Sequence, residues 1–151
     1  MQDIRILPAT PTEKDWAAAL LAGSEPWTTL GIGLEQCLRT CHDPEFEVYI
    51  AHAGDMPCGV MVLDPRGLAG APYIKSVAVT EESRNLRVDA LLLAYTESVC
   101  RSRSRHLFLC VSSFNTAAQR FYKNHGFTQV GELPGYIIHS ASELILHKSL
   151  Q

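Results

Sequence analysis

The stretch from Leu107 to Phe127 constrains this chain more than any other, because it reads as a strand, a turn and a short helix that stops on glycine. Leu107-Phe108-Leu109-Cys110-Val111 is an unbroken apolar run. Such a run suits a strand buried on both faces better than a half-exposed one. Ser112, Ser113 and Phe114 follow, then Asn115 at a good N-cap position, then Ala117, Ala118, Phe121 and Tyr122 at helical spacing. Gly126 can take the positive φ of a helix C′ residue, so the chain turns there into a new strand beginning at Phe127.

The upstream chain supplies the partners of this unit. Ile4, Ile6 and Leu7 predict a first strand over Asp3–Leu7 that Pro8 closes, and Thr12 followed by Asp15 predicts a helix start. Trp16, Ala19 and Leu20 give that helix an apolar stripe ending at Gly23. The segment from Ser24 to Gly31 breaks the pattern, and a second helix is expected from about Leu34 to Cys41.

Phe46, Val48 and Ile50 alternate with Glu45, Glu47 and Tyr49, the period of a strand with one wet face. Ala53-Gly54-Asp55 turns it into a return strand around Val60–Leu63, so 45–64 is expected to be a hairpin. Residues 65–70 read as loop and Tyr73–Val79 as the next strand. Val88, Leu91, Leu92, Tyr95 and Val99 then lie on one helical face. A strand-helix-strand unit of this size is best built as a right-handed parallel crossover. Strands near Phe127–Leu133 and Ser142–Lys148 close the chain.

At 151 residues the chain is expected to be one domain, 1–151, large enough to bury roughly 68–70% of its unfolded surface. With 46% hydrophobic residues and a formal net charge of -3, neither disorder nor broad binding to nucleic acid is favoured. Arg101-Ser102-Arg103-Ser104-Arg105 reads as cations at a helix C-terminus rather than an RNA contact. No apolar run approaches the roughly 20 residues of a membrane helix, and Met1-Gln2-Asp3 lacks a signal-peptide layout, so a cytoplasmic protein is expected. Five cysteines without paired spacing read as reduced, mostly buried thiols. The six scattered histidines predict no metal site.

The strand, Asn115, Ala118, Phe121-Tyr122 and Gly126-Phe127 together resemble the closing motif of the GNAT superfamily of N-acetyltransferases. The element order β-α-α-β-β-β-α-β-α-β-β is similar to that family across nearly the whole chain, as are a Ser-Glu-Pro-Trp loop and the strand Tyr73–Val79. The resemblance implies the mixed-sheet α/β fold of the acyl-CoA N-acyltransferases, with acetyl-CoA as co-substrate and a small-molecule or peptide amine as acceptor. Val77, Ala78 and Val79 would bind the pantetheine arm through backbone groups left free by a bulge and a splayed neighbour. The start of the long helix, Arg84-Asn85-Leu86-Arg87-Val88-Asp89-Ala90, would present amides to the pyrophosphate.

That loop departs from the family pattern, since Arg87 and Asp89 stand where small residues belong. A Cβ there hinders close approach of phosphate to backbone, and Asp89 adds a like charge, whereas Arg87 can pair with a phosphate. If these side chains point outward, cofactor binding is weakened. If they fill the cradle, the chain is a non-catalytic GNAT-fold binding or regulatory module.

By the same resemblance Tyr122 protonates the departing thiolate, since a phenol with pKa near 10 holds its proton at neutral pH. Its competing role is as an aromatic packing beside Phe121. Asn115 would hydrogen-bond the pantetheine or the Tyr122 region while also capping its helix, and Ala118 would line the slot. Glu25, Trp27, Tyr136 and His139 are candidates to line the acceptor site, a carboxylate and aromatics being able to hold an ammonium. For the general base, Cys110 and Ser76 are placed suitably but are chemically unconvincing. Glu143, Glu35 and His139 compete with ordinary surface roles. Edge strands of the C-terminal hairpin leave room for a homodimer.

Overall fold

Two layers of helices cover opposite faces of one sheet, and the alternation along each strand decides which face a side chain serves. The computed structural model describes residues 3–151. In chain order these form β1 (Ile4–Pro8), α1 (Pro11–Ala22), α2 (Trp27–Leu30), α3 (Leu34–His42), β2 (Glu47–Ala53), β3 (Met56–Leu68) and β4 (Ala71–Val79). There follow a 3-10 turn (Glu81–Leu86), α4 (Val88–Arg101), β5 (His106–Ser112), α5 (Thr116–Asn124), β6 (Thr128–Pro134) and β7 (Ser142–Ser149). The sheet has seven strands in the order β1-β2-β3-β4-β5-β7-β6. Among the described residues only the β4–β5 pairing is parallel, which the α4 crossover makes possible.

On one face α4 buries Val88, Leu92, Leu93 and Cys100 against Met61, Leu63, Leu107, Leu109 and Leu146. On the other, α1 and α3 bury Ala17, Ala18, Leu21, Cys37 and Cys41 against Val48, Ile50, Val60 and Val62. Truncating Leu92, which is fully buried, costs about 2–5 kcal/mol. No helix among the described residues is long and apolar enough to cross a membrane. Among the same residues no group of three or more His, Cys, Asp or Glu could hold a metal ion.

Several local expectations are corrected. The first helix starts two residues earlier, because Thr10 caps it through the Glu13 amide while Glu13 bonds back to the Thr10 amide, with Pro11 at the first helical position. The segment 24–31 contains the short helix α2. Residues 65–68 continue β3, and the turn to β4 is made at Ala69 and Gly70, both at positive φ.

β2 has no wet face: Tyr49 and Ala51 are buried under α4, Tyr49 meeting Tyr95 edge-on and donating to Glu47 at 2.6 Å. The buried stripe of α4 is also rotated from the expected one. Leu91 is 43% exposed, whereas Leu93, Thr96 and Glu97 are buried. The cysteines are free as expected, four of them buried and Cys110 half-buried. In the basic run, Arg103 pairs with Glu47 at 2.8 Å and Arg101 with Glu97 at 3.6 Å, so both are used within the fold.

Candidate active site

A single extra residue in β4 opens the site. The β3–β4 register runs from Val62↔Ser76 to Leu63↔Ile74, so Lys75 is bulged out of the ladder and the strand bends there. β4 and β5 pair only at Tyr73↔Phe108 and Ile74↔Leu109. Beyond these positions Lys75–Val79 and Cys110–Ser112 part, although β4 stays joined to β3 and β5 to β7. The two facing strand edges therefore present backbone N–H and C=O groups to a gap rather than to each other.

A cavity of about 680 Å³ occupies this gap and opens toward both layers. On the α4 side it is lined by Asn115, Ala118 and Tyr122 of α5 and by Val77 of β4. On the α1–α3 side it is lined by Glu25, Trp27, Ile32 and Gln36, with Tyr73, Tyr136 and Glu143 completing the wall.

The end of β5 holds α5 in place. Asn115 Oδ1 accepts from the Ala118 amide at 3.2 Å, and Gln119 Nε2 donates to the carbonyls of Ser112 and Ser113. Tyr122 packs edge-on against Phe121 and Phe127, and the helix ends at Gly126 with φ +93°. Burial, with the Asp89 charge in second place, pushes the Tyr122 hydroxyl well above the usual phenol range. It is held protonated at any ordinary pH.

At the start of α4, Arg87 adopts the left-handed conformation (φ 58°, ψ 36°) usually left to glycine. Val88 then fits against Gly59 of β3, where an added Cβ would meet Val88 Cγ1 at 3.0 Å. Asp89 turns its own carboxylate onto the helix start, Oδ1 accepting from the Ala90 amide at 2.8 Å. None of Arg84, Asn85, Leu86, Arg87, Val88, Asp89 and Ala90 lines the cavity, and neither do Ala78 and Val79.

The cavity wall contains a buried carboxylate. Glu143 is 7% exposed, and the Ser112 hydroxyl donates to its Oε2 at 2.7 Å. Burial raises the Glu143 pKa, while that hydrogen bond opposes the rise. Burial also raises the neighbouring Tyr73 hydroxyl and Cys110 thiol, so Cys110 stays a neutral thiol at neutral pH and is no base. Ser76 is buried in the same wall, without a neighbour that would make it basic.

The remaining candidates separate clearly. Trp27 and Tyr136 line the cavity, Tyr136 at its rim and 68% exposed. Glu25 lines it too, but both its oxygens accept from Thr29, which ties it to α2. His139 and Glu35 are exposed and lie outside the lining, whereas Gln36 is part of it. Tyr73 and Ser112 are site residues that sequence reasoning does not single out. The signal that could have found Ser112 is the period-2 alternation, which puts Cys110 and Ser112 on the strand face opposite Leu109 and Val111.

The model of the acetyltransferase (GNAT) family matches residues 11–127. Comparison with curated proteins finds no match. Among solved structures, Ard1 from Thermoplasma volcanium is similar with a TM-score of 0.82 at 20% identity, covering 98% of each chain. The aminoglycoside 6'-N-acetyltransferase from Enterococcus faecium gives 0.77 at 18% identity over 97% of each chain. The ribosomal-protein-S18-alanine N-acetyltransferase from Escherichia coli gives 0.78 at 14% identity, covering 99% of this chain and 95% of that one. At such identities the structures speak for the fold, and the family match extends over the bulge, the parted strands and α5. This chain belongs to the GNAT family of acetyltransferases.

Proposed function

We propose that the chain transfers an acetyl group from acetyl-CoA to a primary amine. The observation that carries this reading is the parting of β4 and β5 after Ile74 and Leu109, which leaves an open strand edge beside a cavity reaching both Tyr122 and Glu143. A pantetheine arm carries two amides, and the free edge of β4 near Val77 matches it as an added strand. At the diphosphate end the start of α4 supports the fit, because Arg87 caps the helix with no side-chain hydrogen bond and the first amides of a helix have no partner within it. The Asp89 carboxylate on the Ala90 amide opposes it and has to swing away.

When bound, acetyl-CoA supplies the acyl group as an activated thioester. Glu143 takes the proton from the acceptor ammonium, directly or through water, because burial has made it a stronger base than an exposed glutamate. Backbone amides of β4 facing the gap polarise the carbonyl. The freed amine would form the C–N bond to the acetyl carbon and pass its second proton to solvent, and the Tyr122 hydroxyl would donate a hydrogen bond to the sulfur as the C–S bond breaks. Its raised pKa makes it a steady donor rather than a strong acid, so the thiolate's final proton comes by way of solvent.

A thermal shift with acetyl-CoA tests the first step, since a ligand at 100 times its Kd adds about 2.7 kcal/mol of stability. Thiol release with amines tests the second, and Tyr122→Phe should cut kcat by about 10-fold or more with the cofactor shift retained. No shift at millimolar cofactor would instead favour a non-catalytic GNAT-fold module, the reading to which the Asp89–Ala90 hydrogen bond points.

A further inference from the structure

We infer that the acceptor is a small cationic amine with an aromatic or apolar body and no carboxylate beside the amine. The inference deepens the acetyl-transfer reading and rests on it.

Charge is the first ground. Glu25 and Glu143 both line the acceptor side of the cavity. Hydrogen bonds from the Thr29 and Thr28 side chains hold the Glu25 carboxyl below the usual range, so it is ionised at neutral pH. Among the described residues that line the cavity, Lys75 is the one basic side chain, and no arginine is present. The Lys75 ammonium lies 5.4 Å from the centre of the Phe46 ring, a residue outside the lining, so it is engaged in a cation–π contact. An ammonium entering this space is attracted by two glutamates, whereas a carboxylate loses its water opposite like charges that outnumber the one lysine, itself engaged by Phe46.

The walls are the second ground. Trp27, Ile32, Leu68, Tyr73, Tyr136 and Ile137 line the same cavity as the two glutamates. They offer apolar contact to a hydrocarbon body and ring faces to a cation.

Room is the third. One cavity of about 680 Å³ serves both the thioester arm and the acceptor. On the order of a few hundred Å³ remains for the acceptor, which suits one ring on a short chain. An α-amino acid is therefore disfavoured by charge, and a peptide N-terminus can place no more than its first residue in the remaining room.

Thiol release by the full chain with acetyl-CoA is to be measured for tyramine, tyrosine and a tripeptide beginning with tyrosine. Tyramine is expected to exceed both in kcat/KM, tyrosine by about 100-fold. Glu25→Gln should narrow the tyramine-to-tyrosine ratio several-fold, and Tyr136→Ala should raise KM for tyramine while leaving kcat in place. Turnover that prefers tyrosine or the tripeptide overturns the inference and leaves acetyl transfer standing. The inference also fails if acetyl-CoA stabilises the protein but none of the three is acetylated. Absence of both the cofactor shift and turnover removes the acetyl-transfer reading itself, and the inference with it.

Discussion

Ser112 and Glu143 are register partners across the β5–β7 ladder, and the serine hydroxyl donates to Glu143 Oε2 at 2.7 Å inside the cavity. That bond stabilises the ionised carboxylate, while burial favours the neutral acid. As the proposed base, Glu143 must be ionised to work, so kcat should fall as pH drops through its pKa. Glu143→Gln should lower kcat by about 10²–10⁴-fold and erase this acid limb. Ser112→Ala removes the bond that favours the charge, so it should move the limb to higher pH with only a modest loss at the plateau. A pH–rate profile of both variants checks this, and an unmoved limb in either would assign the base to another group.

Asp89 accepts from the Ala90 amide at 2.8 Å and, after burial, helps to raise the Tyr122 pKa. Asp89→Asn keeps the size of the side chain and deletes its charge. Acetyl-CoA affinity, measured by calorimetry, should rise about 5–10-fold at low salt, because a like charge next to the diphosphate is gone. The gain should shrink as ionic strength increases. Tyr122 should also titrate closer to the ordinary phenol range, read as the difference in alkaline ultraviolet absorbance between the variant and the parent protein.

Much of this architecture is legible in the chain because elements and their order follow from apolar period. The crossover from β4 through α4 to β5 and the stop at Gly126 both follow from side-chain pattern and backbone freedom. The bulge at Lys75 is foreseeable only through the family resemblance, since nothing in its own sequence neighbourhood distinguishes a bulged lysine from a paired one. The phase of α4 differs from expectation because Leu91, Leu92 and Leu93 are consecutive, and periodicity alone cannot choose which two are buried. Glu143 competes with a surface role in the sequence because a glutamate in a C-terminal strand is usually wet. Only its pairing with Ser112, a relation 31 residues apart in sequence, places it within the cavity wall. For Glu25 the residue type is plain from the sequence, but its commitment to Thr29 is a matter of side-chain geometry.

The start of α1 should give the protein an acid-sensitive element. Glu13 bonds the Thr10 amide at 2.9 Å and His52 Nε2 at 2.6 Å, and these contacts, Thr10 first, hold its carboxyl below the usual 4.5. A carboxylate with a depressed folded pKa contributes stability that is full above its unfolded value and is lost as pH falls through the folded one. The loss should therefore appear below about pH 4.5. Glu13→Gln should lower Tm at pH 7 but leave it less dependent on pH between about 5 and 3. Thermal melts across that range check it, and equal slopes for both proteins would place the sensitivity elsewhere.

Glu97 is the most consequential polar residue that helical periodicity does not flag, since it is 6% exposed on the buried side of α4. Both its oxygens accept from Lys148 Nζ of β7 at 3.0 Å, and Arg101 approaches at 3.6 Å one turn on. The pair ties the crossover helix to the strand that carries Glu143. Removing one partner strands a charge in a largely dry place, and Lys148→Met should cost about 2–3 kcal/mol, less than for a fully buried pair because Lys148 is partly exposed. Glu97→Gln/Lys148→Met together should recover part of that loss, because the orphaned carboxylate is then absent. Urea unfolding of the two single variants and the double variant measures the coupling. A double variant as unstable as the sum of the singles would show that the two side chains act independently.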